Sequence, residues 1–121
     1  MSDSNIFYFS AEIGLSSSIP TYSGGLGVLA GDHVKAAADT KIPVVGITLL
    51  YRHGQGIQRI DKEGDQRERW NSFNPNGILS KEDCEFEIKL GSEKAIVQIW
   101  SKTVSGVTGN STKVYFLDVG H

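Results

Sequence analysis

Two strongly apolar runs, with one helical stripe between them, constrain this chain more than any other feature. Ile6-Phe7-Tyr8-Phe9-Ser10 and Pro43-Val44-Val45-Gly46-Ile47-Thr48-Leu49-Leu50 are apolar on both faces, as expected of strands buried in a parallel sheet rather than wetted on one side. Between them, Ser23-Gly24-Gly25-Leu26-Gly27 leads into Val28-Leu29-Ala30, and Val34, Ala37 and Ala38 continue an apolar stripe at helical spacing. That spacing predicts a helix over about residues 25–40. Strand, helix and strand in this order make one right-handed parallel βαβ unit. The expected class is therefore α/β, with residues 6–10 as its first central strand.

The remainder reads differently. Residues 54–64 look like a short hairpin, and residues 67–79 an irregular loop closed by an Asn74-Pro75-Asn76-Gly77 turn. From Cys84 the pattern alternates strictly: Cys84, Phe86, Ile88 and Leu90 face one way, and Glu85, Glu87 and Lys89 the other. Gly91-Ser92 turns this strand into residues 95–104, and residues 106–110 turn the chain again into Val114-Tyr115-Phe116-Leu117-Asp118-Val119. The last run is apolar on both faces and is expected to return to the parallel core. About seven strands then accompany one helix, whereas a parallel sheet needs helices over both faces. One face is expected to be bare. The sequence also stops at Gly120-His121, just past a strand end, where an α/β protein places a functional loop. Both observations predict a piece of something larger.

Composition narrows the function. With 121 residues, 39% hydrophobic and 21% charged, the chain suits one globular domain. Its 12 basic and 14 acidic residues are interspersed, for a net charge of −2, which disfavours nucleic acid and anionic membrane as partners. A lone cysteine, Cys84, rules out an internal disulfide, and no Cys/His spacing offers a zinc site, so a reducing, cytoplasmic setting is expected. No stretch approaches the roughly 20 apolar residues of a membrane span.

The chemistry-bearing segment is Tyr22-Ser23-Gly24-Gly25-Leu26-Gly27, between a buried strand and a helix. Backbone N–H groups and the positive end of the helix dipole there point into the crevice at the strand ends, a setting that suits a phosphate or a sugar hydroxyl. No lysine follows as a phosphate-binding P-loop requires, and the spacing is not G-x-G-x-x-G. The glycines read equally as a ligand cradle or as the conformational needs of a tight turn. Glu12 reads as an ionised pocket residue or a solvated carboxylate. Asp32 and His33, early in the helix, read as structural. Arg52 in Tyr51-Arg52-His53 stands just after the second strand, as an anion clamp or a surface arginine. His53 has a pKa class suited to acid–base work, but no partner is placed beside it, and His121 is terminal. Trp70, Phe73 and Trp100 read as sugar-stacking groups or as core.

Tyr8-Phe9-Ser10-Ala11-Glu12, then Tyr22 through Gly27 with Val28-Leu29-Ala30-Gly31-Asp32-His33, then Tyr51-Arg52-x-Gly54 and Gln58-Arg59-Ile60-Asp61 closely resemble, in order and spacing, the N-terminal region of α-glucan phosphorylases. The likeness covers roughly residues 6–76. Asp65 departs from it, standing where the family usually has tryptophan, and Gln55-Gly56-Ile57 lacks an expected aromatic. Glycogen synthases share a similar glycine signature, but this chain has Tyr22-Ser23 in place of their lysine.

The resemblance implies a GT-B glycosyltransferase with two Rossmann-like domains, of which residues 1–121 would form part of the first: a parallel βαβ core with an antiparallel β excursion. It implies phosphorolysis of terminal α-1,4-glucosyl units by inorganic phosphate, giving glucose 1-phosphate. Its cofactor, pyridoxal phosphate, would be held by a C-terminal domain that this chain lacks, and the parent enzyme would be a homo-oligomer. Gly24, Gly25, Leu26 and Gly27 would form the loop beside the glucosyl unit and phosphate, with Glu12 near the same pocket. The alternatives are a stand-alone carbohydrate- or phosphate-binding module and a piece of a nucleotide-sugar glucan synthase.

Overall fold

The structure, a computed structural model, describes residues 4–53, 57–69 and 72–120. Strand β1 (Ile6–Phe9), helix α1 (Gly25–Asp39) and strand β2 (Val44–Leu49) follow in that order, and β1 and β2 pair in parallel from Ile6↔Val44 to Phe9↔Ile47. The expected βαβ unit and its helix boundaries are therefore present. Beyond it come β3 (Ile57–Ile60), β4 (Gln66–Arg69), β5 (Ser80–Leu90), β6 (Glu93–Ser105) and β7 (Ser111–Asp118). The main sheet runs β1-β2-β7-β6-β5. β7 returns to the parallel core as expected, pairing with β2 from Gly46↔Val114 to Leu49↔Leu117, and it pairs antiparallel with β6 on its other side.

Two expectations are corrected. β1 is an edge strand among the described residues rather than a central one. The hairpin is β3–β4, paired from Ile57↔Arg69 to Ile60↔Gln66, so it extends past residue 64 and residues 67–69 of its second strand fall in the stretch read from sequence as irregular loop. Gln66-Arg67-Glu68-Arg69 has no apolar alternation to betray a strand. What organises it is the Asp61 carboxylate, which accepts from the N–H groups of Glu63 and Asp65 and from Arg67 Nε at 2.9 Å. The Arg67 hydrogen bond, with those backbone bonds, holds the Asp61 carboxyl below its ordinary value. Gly54, Gln55 and Gly56 lie outside the described residues.

Helix α1 covers one face of the sheet. Ala30 and Val34 of the helix, Ile13 and Ile19 of the connection, Val114 and Phe116 of β7 and Trp100 and Val104 of β6 form a single buried cluster. The β6–β7 turn closes over the far end of the helix: Val107 N–H donates to Asp39 Oδ1 at 2.8 Å and Thr108 Oγ1 to the Asp39 carbonyl at 3.0 Å. Strand alternation sends Phe7, Phe9, Ile47, Leu49 and Leu117 to the opposite face. Phe7, Phe9 and Leu49 are 57%, 72% and 47% exposed there, so the bare face expected from sequence is present in this chain. With that contiguous apolar surface, the isolated 121-residue chain is expected to be marginally stable and self-associating. Sedimentation is expected to show oligomers, and a monodisperse, cooperatively unfolding monomer that binds no hydrophobic dye would contradict it.

Candidate functional site

The site lies where β1 and β2 end and α1 begins. Gly24 is the N-cap of α1, with an extended backbone (φ −179°, ψ −162°) and no capping side chain, and Val28 N–H donates to its carbonyl at 3.2 Å. By helix geometry the N–H groups of Gly25, Leu26 and Gly27 therefore lack intrahelical acceptors. No acidic residue stands in the first helical turn. The negative charge comes from across the loop instead: Glu12 accepts from Ser23 N–H and Ser23 Oγ, both at 3.3 Å, which places a carboxylate beside the positive end of the helix. Ser10 Oγ donates to the Glu12 carbonyl at 2.7 Å, fixing the backbone that carries it.

The glycines of this segment divide into two kinds. Gly27 and Gly31 are buried, and a Cβ at either would collide with the connection between β1 and α1: at Gly27 with Tyr22 Cβ, at Gly31 with the Gly14 carbonyl. Gly14 N–H donates to the Gly27 carbonyl at 2.8 Å, so helix and connection touch backbone to backbone. Gly24 and Gly25 are exposed, neither has a positive φ, and a Cβ at either would meet nothing within 4 Å. Among the described residues neither packing nor backbone conformation requires glycine at these two positions.

Beside the loop is an open cavity of about 270 Å³ lined by Glu12, Pro20, Thr21, Tyr22, Ser23, Tyr51 and His53. Tyr51 Oη donates to the Ala11 carbonyl at 3.0 Å, tying the end of β2 to the end of β1. A carboxylate, two phenol rings, hydroxyls and an imidazole are the groups that hold a sugar by hydrogen bonding and ring contact. Glu12 and the glycine loop are thus brought together, and His53 joins them, its backbone bridged to Ser72. No partner stands near His53 in the sequence, because Glu12, which lines the same cavity, is 41 residues away in the chain (53 − 12).

Other candidates fall elsewhere. Arg52 is neither a free anion clamp nor a surface side chain: it forms a two-point ion pair with the fully buried Asp118. Burial alone would raise the Asp118 carboxyl. The Arg52 hydrogen bonds and charge, the Gly120 N–H and the Trp100 indole outweigh burial and hold it below its ordinary value. Phe73 and Trp100 are core residues, not sugar platforms. His33 packs edge-on against Tyr8 with ring centroids 5.2 Å apart, in keeping with the structural reading. Trp70 and His121 lie outside the described residues. Among the described residues no group of three or more His, Cys, Asp or Glu side chains could hold a metal ion. No helix there is long and apolar enough to cross a membrane.

No protein-family model matches the chain. It is, however, 53% identical over 76 residues to the maltodextrin phosphorylase of Thermococcus litoralis, a match covering 63% of this chain and 9% of that protein. It is 44% identical over 110 residues to a glycogen phosphorylase of Mycobacterium tuberculosis, covering 84% of this chain and 13% of that protein. With a glycogen phosphorylase of Aquifex aeolicus it shares 31% identity over 120 residues, or 93% of this chain and 17% of that protein. The matched residues thus span between 9% and 17% of the length of these relatives.

Proposed function

We propose that this relative of the glycogen and maltodextrin phosphorylases supplies the glycine-rich substrate loop of an α-glucan phosphorylase. In that reading residues 1–121 form part of the N-terminal, Rossmann-like domain of a GT-B enzyme that splits terminal α-1,4-glucosyl units with inorganic phosphate. The observation that carries it is the pair Gly24 and Gly25, which no packing contact among the described residues and no left-handed backbone explains. Glycine there leaves room for something outside the chain to reach the backbone.

The N–H groups of Gly25, Leu26 and Gly27 would donate to the oxygens on which negative charge gathers as the glucosyl bond breaks, a role that changes no protonation state. Glu12 would hold the loop's entry through Ser23 and offer its remaining lone pairs to sugar hydroxyls. When bound, pyridoxal phosphate supplies phosphorylases with a phosphate for proton transfer. The cavity's lining contains no lysine to which that cofactor could be attached, so this site does not fit it, and the proposal leaves it to another part of the enzyme.

The test is reconstitution. The matching 110 residues of the M. tuberculosis glycogen phosphorylase are replaced by this chain's, and glucose 1-phosphate is measured from maltoheptaose and phosphate. The chimera is expected to turn over, and the 121-residue chain alone, mixed with pyridoxal phosphate, is expected to be inactive. A folded but inactive chimera, together with maltoheptaose binding by the chain alone, would favour a binding module without catalysis.

A further inference from the structure

We infer that Arg52 and Asp118 are a positioning pair that sets the Tyr51–His53 wall of the cavity beside the glycine loop; this rests on the phosphorylase reading of that cavity. Tyr51 and His53 line the cavity, while Arg52, between them in sequence, directs its guanidinium to Asp118, 66 residues away at the end of β7. Arg52 Nε donates to Asp118 Oδ1 at 3.2 Å and Arg52 Nη2 to Oδ2 at 2.6 Å. Gly120 N–H completes Oδ1 at 3.0 Å and Trp100 Nε1 completes Oδ2 at 3.3 Å. The guanidinium carbon lies 5.9 Å from the centre of the Trp100 ring. The Arg52 carbonyl accepts from Phe73 N–H at 2.6 Å. Backbone and side chain of this residue are therefore both held.

A buried ion pair is weak evidence of stabilisation, because desolvation offsets most of the attraction. What a two-point guanidinium–carboxylate contact supplies is orientation, since the planar fork accepts only one arrangement of the chain that bears it. Here it joins the ends of two adjacent parallel strands, β2 and β7, at the edge where open α/β sheets place their ligands. With Tyr51 Oη anchored on the Ala11 carbonyl, the residues flanking Arg52 are fixed against Glu12 and the loop. Arg52 acts on the ligand through its neighbours and does not contact phosphate.

Arg52→Lys keeps the charge but loses the fork, and Asp118→Asn keeps the shape but loses the charge. In the chimera each is expected to raise the KM for maltoheptaose by about tenfold, the scale of a small misplacement of binding groups. The KM for phosphate is expected to stay unchanged, and the double variant to be no worse than the worse single one, as for groups acting as a unit. A rise in the phosphate KM with Arg52→Lys but not Asp118→Asn would overturn the inference in favour of a direct anion site. A lowered Tm with unchanged kinetic constants would overturn it in favour of a merely structural pair. If the unsubstituted chimera folds but is inactive, the phosphorylase reading fails instead. Titration of the folded chimera with maltoheptaose, followed by calorimetry, then decides the pair: weaker binding in Arg52→Lys supports it, and equal or absent binding refutes it.

Discussion

Gly25→Val in the reconstituted enzyme is expected to lower kcat/KM by about two orders of magnitude, the scale of losing one backbone donor to developing charge. Its stability should hardly change. Among the described residues a Cβ at position 25 meets no atom within 4 Å, and valine and glycine lie close together on helix-propensity scales. The branched side chain would instead occupy the space through which substrate reaches the N–H groups of the first helical turn. The assay is steady-state phosphorolysis of maltoheptaose, with circular dichroism to show that the variant is folded. Wild-type kcat/KM in a folded Gly25→Val enzyme would sink the substrate-loop assignment.

Gly31→Ala, the smallest possible change one helical turn beyond Gly27, is expected to do the opposite: disrupt the fold without adding a side chain at the loop's open face. The new methyl would stand against the Gly14 carbonyl, with the Gly14 carbonyl carbon at 2.7 Å and Cα at 3.3 Å. Backbone cannot swing aside as the end of a flexible side chain can, so helix and connection must separate, straining the Gly14 N–H to Gly27 carbonyl bond. Overpacking of this kind costs about 1–3 kcal/mol, occasionally more, against a gain of about 1 kcal/mol from replacing glycine by alanine in a helix. A backbone collision places the cost at the upper end, so a net loss of about 2 kcal/mol is expected. Urea unfolding of the chimera measures it, with Gly25→Ala as the matched control that makes the same chemical change in open space. Equal midpoints for the two variants would show that the close approach at Gly31 is not needed.

These two experiments separate what a string of similar glycines cannot. In sequence, Gly24, Gly25, Gly27 and Gly31 look alike, and the alternatives of ligand cradle and tight turn stay open. The tertiary structure splits them, because Gly27 and Gly31 face a connection whose path is set by Ile13 and Ile19 in the core, while Gly24 and Gly25 face solvent.

The sequence by itself determined the βαβ unit, the limits of α1, the alternation over Cys84–Leu90 that lies in β5 and the bare face of the sheet. Each of these follows from local periodicity and the number of helices available, which the residues carry with them. It also carried the words that resemble phosphorylases. Pairing was the part it left to the structure. An apolar run cannot state whether it has one neighbour or two, so β1 read as central although β2 is its one partner among the described residues. β4, polar throughout, is a strand because β3 and the Asp61 carboxylate make it one. Arg52 looked like a candidate anion clamp until the register of β2 on β7 brought Asp118 beside it. That contact, like the meeting of Glu12 with His53 across the cavity, joins residues far apart in the chain, and only sheet order and register, which are properties of the whole fold, decide who meets whom.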